Sequence, residues 1–281
     1  MLNASIITGF ADEIDSSFDV QLNVLNELGQ KYIELRAADG VGIADFTMDK
    51  AKEIKEKMDA NKVRISAIGS PIGKIGINDD FMPHMEKYKH VVELAHYFNT
   101  PNIRMFSFYL PDEKKPELYR NEVMERMGRL VDYAKSEGII LLHENEKGIY
   151  GAMAKECLDL MNEFYGDNFK CIFDFANYVQ CKQDTKKAYE LLKDYISYIH
   201  VKDAVWETGE VVIPGTGDGN LQYVFNELDK RGFCGFLSLE PHLFHFQGFD
   251  ALEKGETGNK KESDGVRAYK AAYAGLKRIL Q

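Results

Sequence analysis

Eight short runs rich in β-branched and aromatic residues recur along the chain, each followed by a longer stretch with helical periodicity. This alternation restricts the fold more than any other feature. The runs are Ile6–Phe10, Tyr32–Leu35, Val63–Ile68, Ile103–Phe106, Ile139–His143, Cys171–Phe173, Tyr195–Ile199 and Phe236–Leu239. Between them, apolar residues return every three or four positions: Val20, Val24, Leu25 and Leu28; then Tyr88, Val91, Val92 and Ala95; then Val123, Met127, Leu130, Val131 and Ala134. Further helices are predicted at about 152–165, 186–192, 221–231 and 266–280. A strand followed by a helix, repeated in series, implies a parallel sheet. Eight such units in 281 residues predict a single α/β domain over residues 1–281, a closed (β/α)₈ TIM barrel. The rival, a doubly wound open sheet, should carry a glycine-rich phosphate turn after its first strand, and Gly9-Phe10-Ala11-Asp12-Glu13 is not one. No linker marks a domain boundary, and the polar stretch Lys254–Asp264 is expected to be a mobile loop.

Composition narrows the class. A net charge of -10 argues against nucleic acid as a partner, because phosphate contacts need a basic face. No apolar stretch approaches the roughly 20 residues that span a bilayer, so no membrane partner is expected. The first residues lack a basic segment and a long apolar one, so no signal peptide is read and the cytoplasm is the expected location. Cys157, Cys171, Cys181 and Cys234 form no CxxC pair and are read as free thiols.

Four of the runs end in residues that bind metals. They close on Glu144, Asp174, His200 and Glu240. A parallel barrel gathers its strand C-termini on one face, where its active site lies. Alternation along each strand puts Glu144 on the side of Leu142, Asp174 on that of Ile172, and Glu240 on that of Ser238. Three carboxylates and an imidazole suit one divalent ion: Mn²⁺, Mg²⁺, Co²⁺ or Zn²⁺.

The neighbouring residues supply further candidates. Lys202 could stabilise an enolate, or merely pair with Asp203. His242 could contact substrate or act as an acid, and Asn177 and Gln180 could bind a sugar hydroxyl. Glu146 shares the parity of Glu144, whereas His143, a candidate acid–base group, should turn outward if the strand is regular. Glu34, Arg36 and Arg104 could shape a hydroxyl-binding rim or form buried ion pairs. Pro214-Gly215-Thr216-Gly217-Asp218-Gly219 could cradle a phosphate, but it lacks the Lys-Ser/Thr ending of a P-loop and reads better as a turn.

His143-Glu144-Asn145, Phe173-Asp174, His200-Val201-Lys202-Asp203 and Leu239-Glu240-Pro241-His242 together resemble the xylose isomerase-like TIM-barrel superfamily of sugar phosphate isomerases and epimerases. The resemblance spans nearly the whole chain. It implies that Glu144, Asp174, His200 and Glu240 bind one divalent metal, commonly Mn²⁺, and that Glu144 and Glu240 remove and return a proton beside a sugar carbonyl. It also departs from the family pattern. Asn177 stands where many epimerases have a histidine, and Ala204-Val205-Trp206-Glu207 lacks their arginine. The resemblance extends to bacterial C-glycoside-deglycosidating enzymes, which implies a lyase alternative on 3-keto glycosides and a small β-rich partner subunit; a homo-oligomer and a non-catalytic sugar-binding barrel stay open beside it. The expected substrate is a small carbohydrate.

Overall fold

The computed structural model describes residues 2, 4–243 and 263–281. Most of the Lys254–Asp264 stretch therefore lies outside the described residues. The barrel strands are β1 (Ile6–Gly9), β2 (Tyr32–Leu35), β3 (Arg64–Ile68), β4 (Asn102–Met105), β5 (Ile140–Glu144), β6 (Phe169–Asp174), β7 (Ile196–Val201) and β8 (Phe236–Leu239). Each pairs in parallel with the next from β2 through β8, and β8 pairs with β1. β2 lies alongside β1 and brings the sheet round to a nearly closed barrel. The helices are α1 (Phe18–Glu27), α2 (Met48–Asn61), α3 (Phe81–Tyr97), α4 (Arg120–Glu137), α5 (Ala154–Phe164), α6 (Phe175–Gln180), α7 (Thr185–Leu192), α8 (Leu221–Lys230) and α9 (Asp264–Ile279). The expected (β/α)₈ TIM barrel is the observed fold.

Two helices escape the sequence pattern for physical reasons. α2 buries only Ala51, Ile54 and Met58 among many charged residues, so its apolar stripe is thin, and its start is set by Thr47, whose hydroxyl accepts the Lys50 amide. α6 begins directly at the end of β6, where the Asp174 carboxylate accepts the Asn177 amide.

Inside the barrel, Ala67, Leu142, Ile172 and Tyr198 form a small apolar plug, flanked by Ile140 and Phe236. Burying each large side chain of such a plug stabilises the fold by about 1.5–3 kcal/mol. The main core lies outside the ring, between strands and helices. Above the plug the interior turns polar. Thr8 and Ser66 exchange a hydrogen bond at 2.8 Å, Ser66 meets the Tyr198 hydroxyl at 2.9 Å, and Tyr198 donates to Glu34 at 2.9 Å. This polar storey is the floor of the site.

The loop after β3 forms one wall. Its backbone is tied to the loop after β4: the Phe106 amide donates to Ile72 O and the Phe108 amide to Gly73 O. The Gly73 amide donates to Nε2 of His84, which burial keeps neutral by lowering its pKa to about 4. Gly73 has φ +88°, and a Cβ there would stand 1.9 Å from Phe106 O. Both the torsion and the contact demand glycine. Gly73→Ala should therefore destabilise the protein by about 2–4 kcal/mol, read as a lower urea midpoint with an unchanged m-value.

Candidate metal centre and cleft

His200 is the centre of the site. Its ring is fully buried on β7, edge-on to Phe10 at 5.1 Å. Nε2 points down to Glu34, 3.1 Å from Oε2, and Nδ1 points up to Glu144 Oε1 at 2.9 Å. Nδ1 also lies 3.5 Å from Glu240 Oε2 and 4.0 Å from Asp174 Oδ2. Ligand atoms from Glu144, Asp174, His200 and Glu240 all fall within 4.8 Å of one another, and all four residues are buried. Asp174 Oδ2 is buried and takes part in no hydrogen bond; the Lys202 ammonium, 3.0 Å away, faces it only as an ion pair. An unbonded, buried carboxylate oxygen beside three other oxygen and nitrogen donors is what a divalent ion would satisfy. These residues fit one.

Neighbouring charges set the protonation states. Burial alone would raise the Glu144 carboxyl, but His200 and Arg104, whose Nη1 lies 3.2 Å from Oε2, hold it near 2. Burial is likewise overcome at Glu240, which Lys202 (3.1 Å), His242, His200 and Arg36 keep well below the usual carboxylate range. Asp174 is pushed up to about 7 by burial, only partly offset by Lys202. Burial would lower His200, yet Glu144 and Glu34 raise it well above the ordinary imidazole value.

Asparagines brace the ligands from behind. Asn145 clamps the backbone of Asp174, accepting its amide at 2.9 Å and donating to its carbonyl at 3.0 Å. Asn177 donates to Asn145 O at 2.8 Å and faces Glu144 Oε1 at 3.5 Å.

Through Glu240 the ligand set borders a cleft of about 360 Å³, lined also by Arg36, Lys74, Arg104, Glu146 and His242. A stack of cations and rings forms one side: Arg36 and Arg104 lie over Phe10 at 4.5 and 4.8 Å, and Arg104 and Lys74 over Phe106 at 5.0 and 4.2 Å. Such contacts fix long side chains that would otherwise be mobile.

Several candidates stand away from the cleft, His143 on the outward face that strand alternation gives it. Glu34 is not at the rim: it is fully buried beneath His200, held by Tyr198 and by Ser238 at 2.6 Å. His143 lies on the opposite face of β5 from Glu144, bonded to Ser107 at 3.0 Å, with burial lowering its pKa to about 4, so it is a packing residue outside the cleft. Asn177 is spent on the ligand backbone and is 2% exposed. Gln180 joins loops, accepting from Lys147 and donating to Gly209 O, and does not line the cleft. The glycine turn holds an internal carboxylate instead of a phosphate: the amides of Gly215, Gly217 and Gly219 all donate to Asp203 at 2.9 Å. Lys202 consequently pairs with Asp174 and Glu240 rather than Asp203.

Sequence reasoning assigned no role to Asp12, Glu13, Phe10 or Lys74. Arg36 is bonded to Asp12 at 2.7 Å and to Glu13 at 3.2 Å. Glu13, pushed up to about 7 by burial, also accepts the His242 amide at 2.6 Å. The signal available was the acidic pair directly after the first strand.

The model of the xylose isomerase-like TIM barrel family matches residues 22–269. The chain belongs to that family. No significant match was found among curated protein sequences. Solved structures similar to this xylose isomerase-like barrel include the probable 3-DHS dehydratase AsbF from Bacillus anthracis, at 17% identity and TM-score 0.73, covering 99% of each chain. The IOLI protein with a bound zinc atom matches at 14% identity and TM-score 0.75, covering 98% of both chains. The 3-keto-D-glucoside 4-epimerase YcjR from E. coli matches at 16% identity and TM-score 0.67, covering 98% of this chain and 99% of its own. At these identities the likeness is one of fold. Among the described residues, no helix is long and apolar enough to cross a membrane.

Two outcomes follow for this xylose isomerase-like site. A carboxylate behind a liganding histidine orients the ring, so Glu34→Gln should weaken Mn²⁺ binding about 10- to 100-fold in isothermal titration calorimetry. An ion at Nδ1 must also displace the His200 proton. Because that pKa is raised, affinity should climb with pH through neutrality, by about tenfold per unit for each proton released, and the calorimetric heat should depend on the buffer's ionisation enthalpy.

Proposed function

We propose that the chain is a divalent-metal-dependent carbohydrate isomerase or epimerase that moves a proton at the carbon beside a carbonyl. The observation that carries this reading is how the two glutamates divide their oxygens. Glu240 gives Oε2 to the ligand set, near His200 and Lys202, and turns Oε1 toward Arg36 (3.5 Å) and His242 (3.7 Å) at the cleft. Glu144 gives Oε1 to His200 and Oε2 to Arg104. Each is buried, yet held ionised by a cation; Glu240 can accept a proton from carbon with the Oε1 it turns to the cleft, while Glu144 Oε2 would have to exchange its Arg104 contact to do the same.

A bound divalent ion, with Mn²⁺ the first choice, would supply Lewis acidity to the substrate's carbonyl and adjacent hydroxyl. The rest falls to this chain's side chains. Glu144 comes from β5 and Glu240 directly follows β8, so they address the bound sugar from different strands; one carboxylate removes a proton, and the other returns one only after taking it up from solvent. Lys202 stays charged between Asp174 and Glu240 and offsets the negative charge that builds as carbon loses its proton. Arg36, Lys74 and Glu146 offer donors and an acceptor to sugar hydroxyls. In isomerisation or epimerisation a proton exchanged with solvent returns to carbon.

A second reading, a lyase that loses a leaving group after the same proton abstraction, draws on the acid-bearing edge at Glu13; burial lowers the neighbouring His242 to about 4 and leaves its ring neutral. The burial-raised Glu13 carboxyl keeps a proton near neutral pH, next to a half-exposed histidine. The probable dehydratase among the structural neighbours is compatible with that outcome.

The test is solvent exchange. The Mn²⁺-loaded protein should incorporate deuterium from D₂O into a ketohexose or a 3-keto-D-glucoside, and Glu240→Gln should reduce this by at least about 100-fold, the lower range for a positioned acid–base group. Aglycone release would assign the lyase reading; binding without exchange would leave a sugar-binding barrel.

A further inference from the structure

The loop after β1 and the loop after β8 are joined by one buried carboxylate. Glu13 Oε2 accepts the main-chain amide of His242 at 2.6 Å, and Oε1 lies 3.4 Å from His242 Nε2 and 3.2 Å from Arg36 Nη2. Glu13 itself is 5% exposed, whereas the side chains of Arg36 and His242 are 26% and 45% exposed and line the cleft. His242 takes φ +44°, in the left-handed region that histidine enters more readily than most non-glycine residues. The short bond from its amide to Glu13 holds the backbone in that turn.

We propose that Glu13 is a positioning residue of this site, which holds His242 in its left-handed turn and fixes the imidazole and the Arg36 guanidinium against Glu240 Oε1. Nε2 of His242 faces two carboxylate oxygens, Glu13 Oε1 and Glu240 Oε1, at 3.4 and 3.7 Å, so the proton on this ring is carried there. Without Glu13 the ring has, among the described residues, Glu240 as its remaining carboxylate partner, and it would collapse onto the catalytic oxygen or swing away. The inference deepens the proposed reaction and rests on it for its kinetic consequence. Its structural consequence is independent of that reaction.

The competing occupant of this corner is a second cation, because Glu13, Glu240 and His242 also present atoms within 4.8 Å of one another. The guanidinium of Arg36, 3.2 and 3.5 Å from Glu13 and Glu240, already supplies the positive charge there. That leaves positioning as the role of the cluster.

Two measurements test it on the full chain, the first with diamagnetic Mg²⁺ bound and the second with Mn²⁺. The first is the long-range ¹H–¹⁵N spectrum of the histidine rings. Glu13→Ala should shift or broaden the His242 ring signals, identified by their loss in His242→Ala, and Glu13→Gln should preserve them, because its amide oxygen still accepts the His242 N–H. An unchanged His242 signal in folded Glu13→Ala overturns the proposal. The second is exchange kinetics with whichever ketohexose or 3-keto-D-glucoside is turned over. Glu13→Ala should lower kcat about 10- to 100-fold with KM little changed, the range for a misplaced catalytic constellation. Glu13→Gln should recover most of that loss. In a His242→Ala background, Glu13→Ala should have less than about a twofold further effect. Full additivity of the two substitutions would overturn the proposal. Absence of exchange in the wild type would instead refute the proposed reaction, and the ring spectrum would still decide the role of Glu13. Should Glu13→Ala fail to fold, Glu13→Gln and His242→Ala carry the comparison: loss of the ring signal in Glu13→Gln would refute the tether.

Discussion

One imidazole between two carboxylates organises the site. His200 is gripped from below by Glu34 and from above by Glu144, with its Nδ1 edge turned to Asp174 and Glu240. A histidine ring has two distinguishable nitrogens, and the partner of one sets the orientation and proton of the other. Glu34 therefore decides that Nδ1 is the nitrogen offered to the ligand set. Glu34 can do so only because the polar storey above the apolar plug supplies it with hydroxyl donors from Tyr198 and Ser238. An unsolvated carboxylate in that position would be costly. The ordering of layers inside the barrel, apolar below and hydroxyl-lined above, thus makes the ligand geometry possible.

The same crowding explains the charge arrangement. Glu34, Glu144, Asp174 and Glu240 converge in a space almost closed to solvent. Like charges at such distances drive one another toward the protonated form. Arg104 and Lys202 oppose this from β4 and the end of β7, and they act on different members: Arg104 on Glu144, Lys202 on Asp174 and Glu240. The compensation is incomplete at Asp174, where burial dominates. That residual imbalance falls on the oxygen with no hydrogen bond, Oδ2, which is also the oxygen nearest the histidine.

The ligand types were legible in the sequence because they combine two regularities, an apolar run that must be a buried strand and a residue at its end with the parity of the interior. Leu142 and Ile172 do face the plug below Glu144 and Asp174, as alternation requires. Alternation also turned His143 outward, away from the cleft. What pattern could not reveal was depth. Glu34 sits only two residues before Arg36, yet it lies under the ligands while Arg36 reaches the cleft; β2 shifts register between Ile33 and Glu34, which no periodicity announces. Nor could the sequence show that Asp174 starts a helix in the same stroke as ending a strand, because α6 is too short to carry a repeating apolar face. The acidic pair Asp12–Glu13 was passed over because its partners are Arg36 and His242, contacts set by the closure of the barrel rather than by local spacing.

The site divides by strand. β5, β6, β7 and the residue after β8 supply the ligand atoms, whereas the stacked cations come from the residue after β2, the loop after β3, and β4. The ligand half is constrained from every side, by Asn145 and Asn177 behind it, Glu34 below and Lys202 beside it, so substitution there disturbs several charges at once. The cation half is held mainly by ring contacts with Phe10 and Phe106, which are less particular about what the free edge of a guanidinium meets. Phe10 links the two halves directly, with its ring edge-on to His200 and its face under Arg36 and Arg104. A barrel built this way can keep one ligand set at the ends of β5 to β8 while the stacked wall opposite changes what the cleft accepts.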